Sequence, residues 1–216
     1  EIAARLGAIV ARHGPTAVAG YNGTHGLFGT GKPFLPALLR GLGSHWYFTP
    51  NTIDQPSQQI GWARLGTWNA GVHRFAEADT MLFVGNNPGV SAFSREGGPP
   101  YANGFVHLRD ARRRGLRIIA IDPRRSELAR SADLHLQPKP GEDPTLLAGI
   151  VRTILEEDLL DRAFVEAHVH GTDELRATVA GFTPDYVARR AGVPETQTIA
   201  AARLWAGGRG GAAMTC

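Results

Sequence analysis

Short apolar runs bounded by turn residues recur along the chain, at residues 17–21 (Ala-Val-Ala-Gly-Tyr), 80–85 (Thr-Met-Leu-Phe-Val-Gly), 117–121 (Arg-Ile-Ile-Ala-Ile) and 134–136 (Leu-His-Leu). Each run is continuous rather than alternating, the pattern of strands covered on both faces. Between them lie helical periodicities over roughly 33–42, 57–74, 99–114 and 144–155; the last places Leu146, Leu147, Ile150, Val151, Ile154 and Leu155 at helical spacing. Strands alternating with helices predict an α/β fold: a doubly wound, mostly parallel sheet with helices on both faces. Parallel neighbours need a crossover, and the crossover is usually a helix. After residue 156 the strand pattern stops, and short helices are expected at 161–168, 172–180, 184–191 and 195–206. These read as an all-helical insertion between two parts of the sheet. The expected division is an α/β dinucleotide-binding part at 1–156, a helical segment at 157–208 and the start of a further strand at 209–216.

Composition mainly excludes. With 216 residues, 43% hydrophobic and 20% charged, the chain can bury a real core as one large or two small domains. The formal charge is only +3, and the run Arg112, Arg113 and Arg114 reads as a helix surface, so nucleic acid is not the expected partner. No apolar stretch is long enough to span a bilayer, so no membrane contact is expected from this segment. The single cysteine, Cys216, excludes an internal disulfide and any Cys-rich zinc or iron–sulfur site built from these residues alone. The chain opens within an amphipathic helix (Ile2, Leu6, Ile9, Val10) and closes on small residues that read as a strand just begun. It is therefore expected to be a fragment from the middle of a larger protein.

In a parallel sheet, ligands bind beyond the carboxyl ends of the strands, so the polar residues after each apolar run are the candidates for chemistry. Gly85-Asn86-Asn87-Pro88 combines close backbone approach, amide donors and acceptors and a fixed chain exit; the same residues also make an ordinary turn. Ile121-Asp122-Pro123-Arg124 places an acid where dinucleotide-binding folds accept ribose hydroxyls, or, alternatively, an N-cap with proline as first helical residue. Pro140-Gly141-Glu142-Asp143-Pro144 precedes the clearest helix, with Asp143 expected as its N-cap. A helix N-terminus beside a sheet edge also attracts anionic or polar ligand groups. The loop Tyr21-Asn22-Gly23-Thr24-His25-Gly26 is a fourth, weaker candidate.

No strand end carries the G-x-G-x-x-G turn of nicotinamide enzymes, no P-loop is present, and no G-x-S-x-G elbow supports a hydrolase. The histidines at 13, 25, 45, 73, 107, 135, 168 and 170 show no helical metal spacing.

Taken in order, Ala78 to Pro88, Gly115 to Arg124, Ala132 to Leu136 and Pro140 to Asp143 resemble the central region of the molybdopterin oxidoreductases. This family includes formate dehydrogenases, nitrate reductases and dimethyl sulfoxide reductases. Asp161-Arg162-Ala163-Phe164-Val165 and Gly181-Phe182-Thr183-Pro184 look like its formate dehydrogenase branch. The resemblance implies a bis-molybdopterin guanine dinucleotide cofactor around one molybdenum or tungsten, with a [4Fe-4S] cluster held by residues preceding this segment.

The turn matched by Gly85, Asn87 and Pro88 would then lie against a guanine dinucleotide, with Asn22 a further contact. Asp122 and Arg124 would lie near the ribose, and Gly141 and Asp143 at the guanine edge. A carboxylate accepting two guanine N–H donors is sound hydrogen-bond chemistry, since the ionised form only accepts. The family's metal ligand lies upstream of the Gly-x-Asn-Pro turn, where this chain offers no cysteine; Asp54, Ser57 or neither would serve. The expected partners are a small-molecule substrate and electron-transfer subunits. The cytoplasm is the expected compartment, or the periplasm if a twin-arginine signal precedes this segment. Two other readings stay open at this point: a scaffold relative that has lost the metal, and a Rossmann-like domain of a thiamine diphosphate enzyme.

Overall fold

The computed structural model describes residues 1–23, 33–50, 56–65, 78–88, 90 and 104–215. The chain forms two compact units, Glu1–Ala70 and Gly71–Cys216. In the first, helix α1 (Ile2–His13) ends at Gly14 and helix α2 (Phe34–Leu42) at Gly43, both with positive φ. Strands β1 (Gly20–Tyr21) and β2 (Tyr47–Phe48) pair in parallel, and helix α3 spans Pro56–Leu65. The strand expected at 17–21 thus shrinks to two residues, because Pro15–Ala17 is taken by a 3-10 turn. β2 has no counterpart in the sequence pattern. The expected helix at 57–74 is seen to Leu65, and its remainder lies outside the described residues.

The second unit is built on strands β3 (Thr80–Val84), β4 (Arg117–Ile121), β5 (Leu134–Leu136) and β6 (Gly211–Thr215). Their order is β5-β4-β3-β6, and every pair is parallel. Helix α4 (Gly104–Arg113) links β3 to β4, and α5 (Glu127–Ser131) links β4 to β5. Helices α6 (Asp143–Glu156), α7 (Arg162–His168), α8 (Thr172–Val179), α9 (Pro184–Ala191) and α10 (Glu195–Ala206) come before β6. The helical insertion between two parts of the sheet is therefore present as expected.

Both faces of the sheet are covered, and this is why the strand sequences are continuously apolar. On one face Met81, Phe83 and Ile118 pack with Leu108 and Ala111 of α4, Leu128 of α5, and Ala212 and Met214 of β6. On the other, Leu82, Ile119, Ile121 and Leu136 pack with Leu146 and Ile150 of α6, Val187 of α9, and Ala201 and Ala202 of α10. Asp79 fastens the distant β6 beside β3: its carboxylate accepts from the backbone N–H of Arg209 at 2.8 Å and of Gly210 at 3.3 Å. Those backbone donors, led by Arg209, hold its pKa below the ordinary 3.8.

The close approach of α6 and α9 depends on Gly149, where an added Cβ would stand 2.5 Å from Val187 Cγ2 and 3.5 Å from Phe182 O. Alanine is the better helix former by about 1 kcal/mol. Against that, Val187 is fully buried and stiff at χ1, and overpacking of this kind costs about 1–3 kcal/mol. Gly149→Ala is thus expected to lower stability by up to about 2 kcal/mol, the difference of those two effects. A denaturation midpoint that rises instead would show that α9 moves away at little cost.

Candidate functional site

The chain passes outward from β3 to β4 to β5, then returns to the opposite side of β3 as β6. Strand order therefore reverses at β3, and open α/β sheets bind ligands beyond the carboxyl ends of the strands at that point. The registers Val84↔Ile121, Ile121↔Leu136 and Val84↔Thr215 make the strand ends level. Two further ladder bonds, Gly85 N–H to Ile121 O at 2.9 Å and Asp122 N–H to Leu136 O at 3.1 Å, set Gly85, Asp122 and Gln137 side by side. Adjacent backbones there are about 4.8 Å apart, the ordinary strand spacing.

At the reversal point Gly85 turns the chain with φ +62°, a conformation that favours glycine. Asn86 Nδ2 donates to Thr215 O at 3.2 Å, and Asn87 Nδ2 donates to Glu127 Oε2 at 2.7 Å. Each amide is thus oriented by its donor end. The two Oδ1 atoms are buried and have no hydrogen-bond partner among the described residues. A buried acceptor left unpaired costs about 1–3 kcal/mol, so a ligand bringing N–H or O–H donors would recover it. Pro88 is buried behind this turn.

Asp122 follows β4. Its Oδ1 accepts from Arg124 N–H at 2.8 Å, closing a turn. The N-cap alternative does not hold: α5 starts at Glu127 and is capped by Ser126, whose Oγ accepts from Ala129 N–H at 3.4 Å. His135 Nε2 lies 2.9 Å from Asp122 O, and Gln137 Nε2 donates to Pro123 O at 3.1 Å, so β5 braces the turn. Asp122 is half-buried and Arg124 exposed at the strand edge.

Asp143 also differs from its expected role. Glu142 occupies the N-cap position, and Asp143 is the first residue of α6 with Pro144 behind it. Among the described residues its side chain accepts no hydrogen bond from the following turn of the helix. Burial pushes its pKa above the ordinary 3.8; its own backbone N–H opposes this, and the nearby Asp122 carboxylate adds to the rise. Among the described residues no cation pairs with it. Gly141, with φ +90°, makes the bend that brings this helix start to the sheet edge.

Gly85, Asn87, Pro88, Asp122, Arg124, Gly141 and Asp143 are therefore brought to the ends of β3, β4 and β5 in one unit. Asn22 lies in the other unit, where its N–H donates to Phe48 O at 2.9 Å and its side-chain amide is 3.5 Å from the Tyr47 hydroxyl. Asp54 lies outside the described residues, as do Thr24, His25 and Gly26; of Ser57 only its place in α3 is described. Among the described residues no three His, Cys, Asp or Glu side chains cluster closely enough to hold a metal, and no helix is long and apolar enough to cross a membrane. Glu127, which aims Asn87, gives no signal in the sequence beyond its place after a capping serine.

The sequence and the fold resemble those of known proteins. Escherichia coli formate dehydrogenase H is 30% identical over 95% of this chain and 28% of its own length. The F420-dependent formate dehydrogenase 2 subunit alpha of Methanococcus maripaludis is 32% identical over 70% of this chain and 21% of its own length. The solved structure of acetylene hydratase from Pelobacter acetylenicus superposes with a TM-score of 0.78 over 98% of this chain and 28% of that one, at 27% identity. The chain thus spans between a fifth and a third of the length of these relatives. The family model of the molybdopterin oxidoreductases matches residues 1–200, and the chain belongs to that family.

Proposed function

We propose that this chain is the central cofactor-binding part of a molybdenum or tungsten oxidoreductase, and that the carboxyl edge of β3, β4 and β5 receives a molybdopterin guanine dinucleotide. The observation that carries the reading is the pair of buried Oδ1 atoms of Asn86 and Asn87 at the point of strand reversal, which have no partner among the described residues. They fit a ligand rich in N–H and O–H donors. Asp143 fits the same ligand from the side: a desolvated carboxylate without a cation is a strong acceptor for the adjacent N–H groups of guanine. Asp122, just after β4 and near Asp143, would accept ribose hydroxyls.

When bound, the metal would supply the redox step, by oxygen-atom transfer or by accepting a hydride and electrons. This segment's residues would orient the dinucleotide and exclude water from its guanine end. Family membership replaces the thiamine diphosphate reading. The substrate, a [4Fe-4S] cluster elsewhere in the protein and electron-transfer partner subunits belong to this proposal; the alpha-subunit name of one relative supports the last. Acetylene hydratase, a relative whose name is not that of a redox enzyme, keeps the reaction class of the whole protein a matter for assay.

The test is elemental and nucleotide analysis of the full-length protein, purified without added cofactor. Metal accompanied by about two GMP per metal after acid hydrolysis supports the reading, as two dinucleotides around one metal require. Absence of both, from a host that makes the cofactor, would favour the scaffold reading.

A further inference from the structure

The loop from β5 to α6, which presents Gly141, Glu142 and Asp143, is held by the carboxyl end of α9. Lys139 N–H donates to Ala191 O at 2.8 Å, and Lys139 Nζ donates to Arg189 O at 3.4 Å. The stem of Lys139 runs over Gly192, where a Cβ would come within 3.3 Å of Lys139 Cε; the glycine has φ +77°. Between these contacts Arg190 Nε stands 3.0 Å from Glu142 Oε1 and 3.1 Å from Oε2. Glu142 Oε2 also accepts from the Thr145 hydroxyl at 2.7 Å. The Glu142 N–H closes the turn onto Lys139 O at 3.0 Å. Three successive residues of α9 therefore hold a four-residue turn, and Asp143 leaves that turn as the next residue.

The charges explain why a cation belongs there. Desolvation disfavours ionised Asp143, the nearby Asp122 carboxylate adds to this, and Glu142 adjoins Asp143 in the chain. The Thr145 hydroxyl first, and Arg190 second, hold the Glu142 carboxyl below its ordinary pKa. Arg190 pairs with Glu142 and leaves Asp143 free for a ligand. The Arg190 side chain is 61% exposed, and an ion pair so open to water adds little to global stability. Its effect falls on the direction of the turn.

We infer that Arg190, acting through Glu142, is a positioning residue for the guanine end of the dinucleotide, so that the helical insertion helps to set the cofactor edge. The inference rests on the cofactor reading above. Its test is a double-mutant cycle on the full-length holoenzyme: wild type, Arg190→Gln, Glu142→Gln, the double variant and Arg190→Lys. The readouts are the rate at which GMP-containing cofactor is lost on dilution and the melting temperature of each cofactor-free protein.

Each single glutamine variant is expected to lose cofactor roughly three- to tenfold faster than wild type, the double variant no faster than the worse single, and Arg190→Lys at close to the wild-type rate. The melting temperatures should stay close together. Equal loss rates in wild type and Arg190→Gln, or single effects that simply add in the double variant, would overturn the inference and leave the cofactor reading standing. A wild-type protein with no GMP would overturn both.

Discussion

Asp143→Asn in the full-length protein is expected to weaken retention of guanine nucleotide at least tenfold and, at the same time, to make the cofactor-free protein more stable at neutral pH. The substitution keeps the shape and removes the charge. A hydrogen bond to a charged group contributes about 1.5–3 kcal/mol, which is tenfold or more in affinity, and the asparagine Nδ2 would face guanine donors with another donor. The stability change has the opposite sign. Burial holds the folded-state pKa of Asp143 above its ordinary 3.8, so the folded protein keeps the proton more tightly than the unfolded chain. Stability from this group is therefore fully present below the unfolded pKa and is lost as pH rises through the folded one. Asparagine does not titrate. Denaturation of the cofactor-free proteins should give curves that converge in acid and separate toward neutral pH, with the variant above. Curves that stay parallel would refute the desolvated carboxylate, and unchanged GMP content would refute the contact.

The strand and helix order of the second unit was legible because both faces of β3 and β4 are buried, which forces continuous apolar runs that periodicity detects. Helix starts were legible where a cap is local: Asp161 Oδ1 accepts from Phe164 N–H at 3.0 Å and Thr183 Oγ1 from Tyr186 N–H at 3.2 Å. The same rule failed at Asp143. There Glu142, paired with Thr145 and with Arg190 from another helix, takes the N-cap position and leaves the aspartate uncommitted. At Asp122 the competing cap was Ser126, which fixes the helix start four residues later. The two-residue strand β2 carries too short a run for any pattern to show. Partners such as Asn87 with Glu127, or Glu142 with Arg190, are 40 and 48 residues apart, and no local signal links them. The site's residues could thus be named from their places after strands, while what aims each one is a tertiary fact.

Phe83→Ala is expected to cost about 3–5 kcal/mol, the usual range for emptying a fully buried phenylalanine position. That is a large share of the 5–15 kcal/mol by which domains are typically stable. Phe83 is 1% exposed and packs with residues of α4, α5 and β6 as well as β4. β3 pairs on both edges, so no free edge is available for the sheet to collapse around the cavity. Because Gly85, Asn86 and Asn87 leave the same strand, loosening β3 against β6 also disturbs the Asn86 to Thr215 bond at the reversal point. Nucleotide retention should therefore fall together with stability, whereas in Asp143→Asn the two move apart. Phe83→Leu, which refills much of the space, should recover most of both. A Phe83→Ala protein that loses nucleotide at wild-type stability would mean that the ring serves the site directly rather than the packing beneath it.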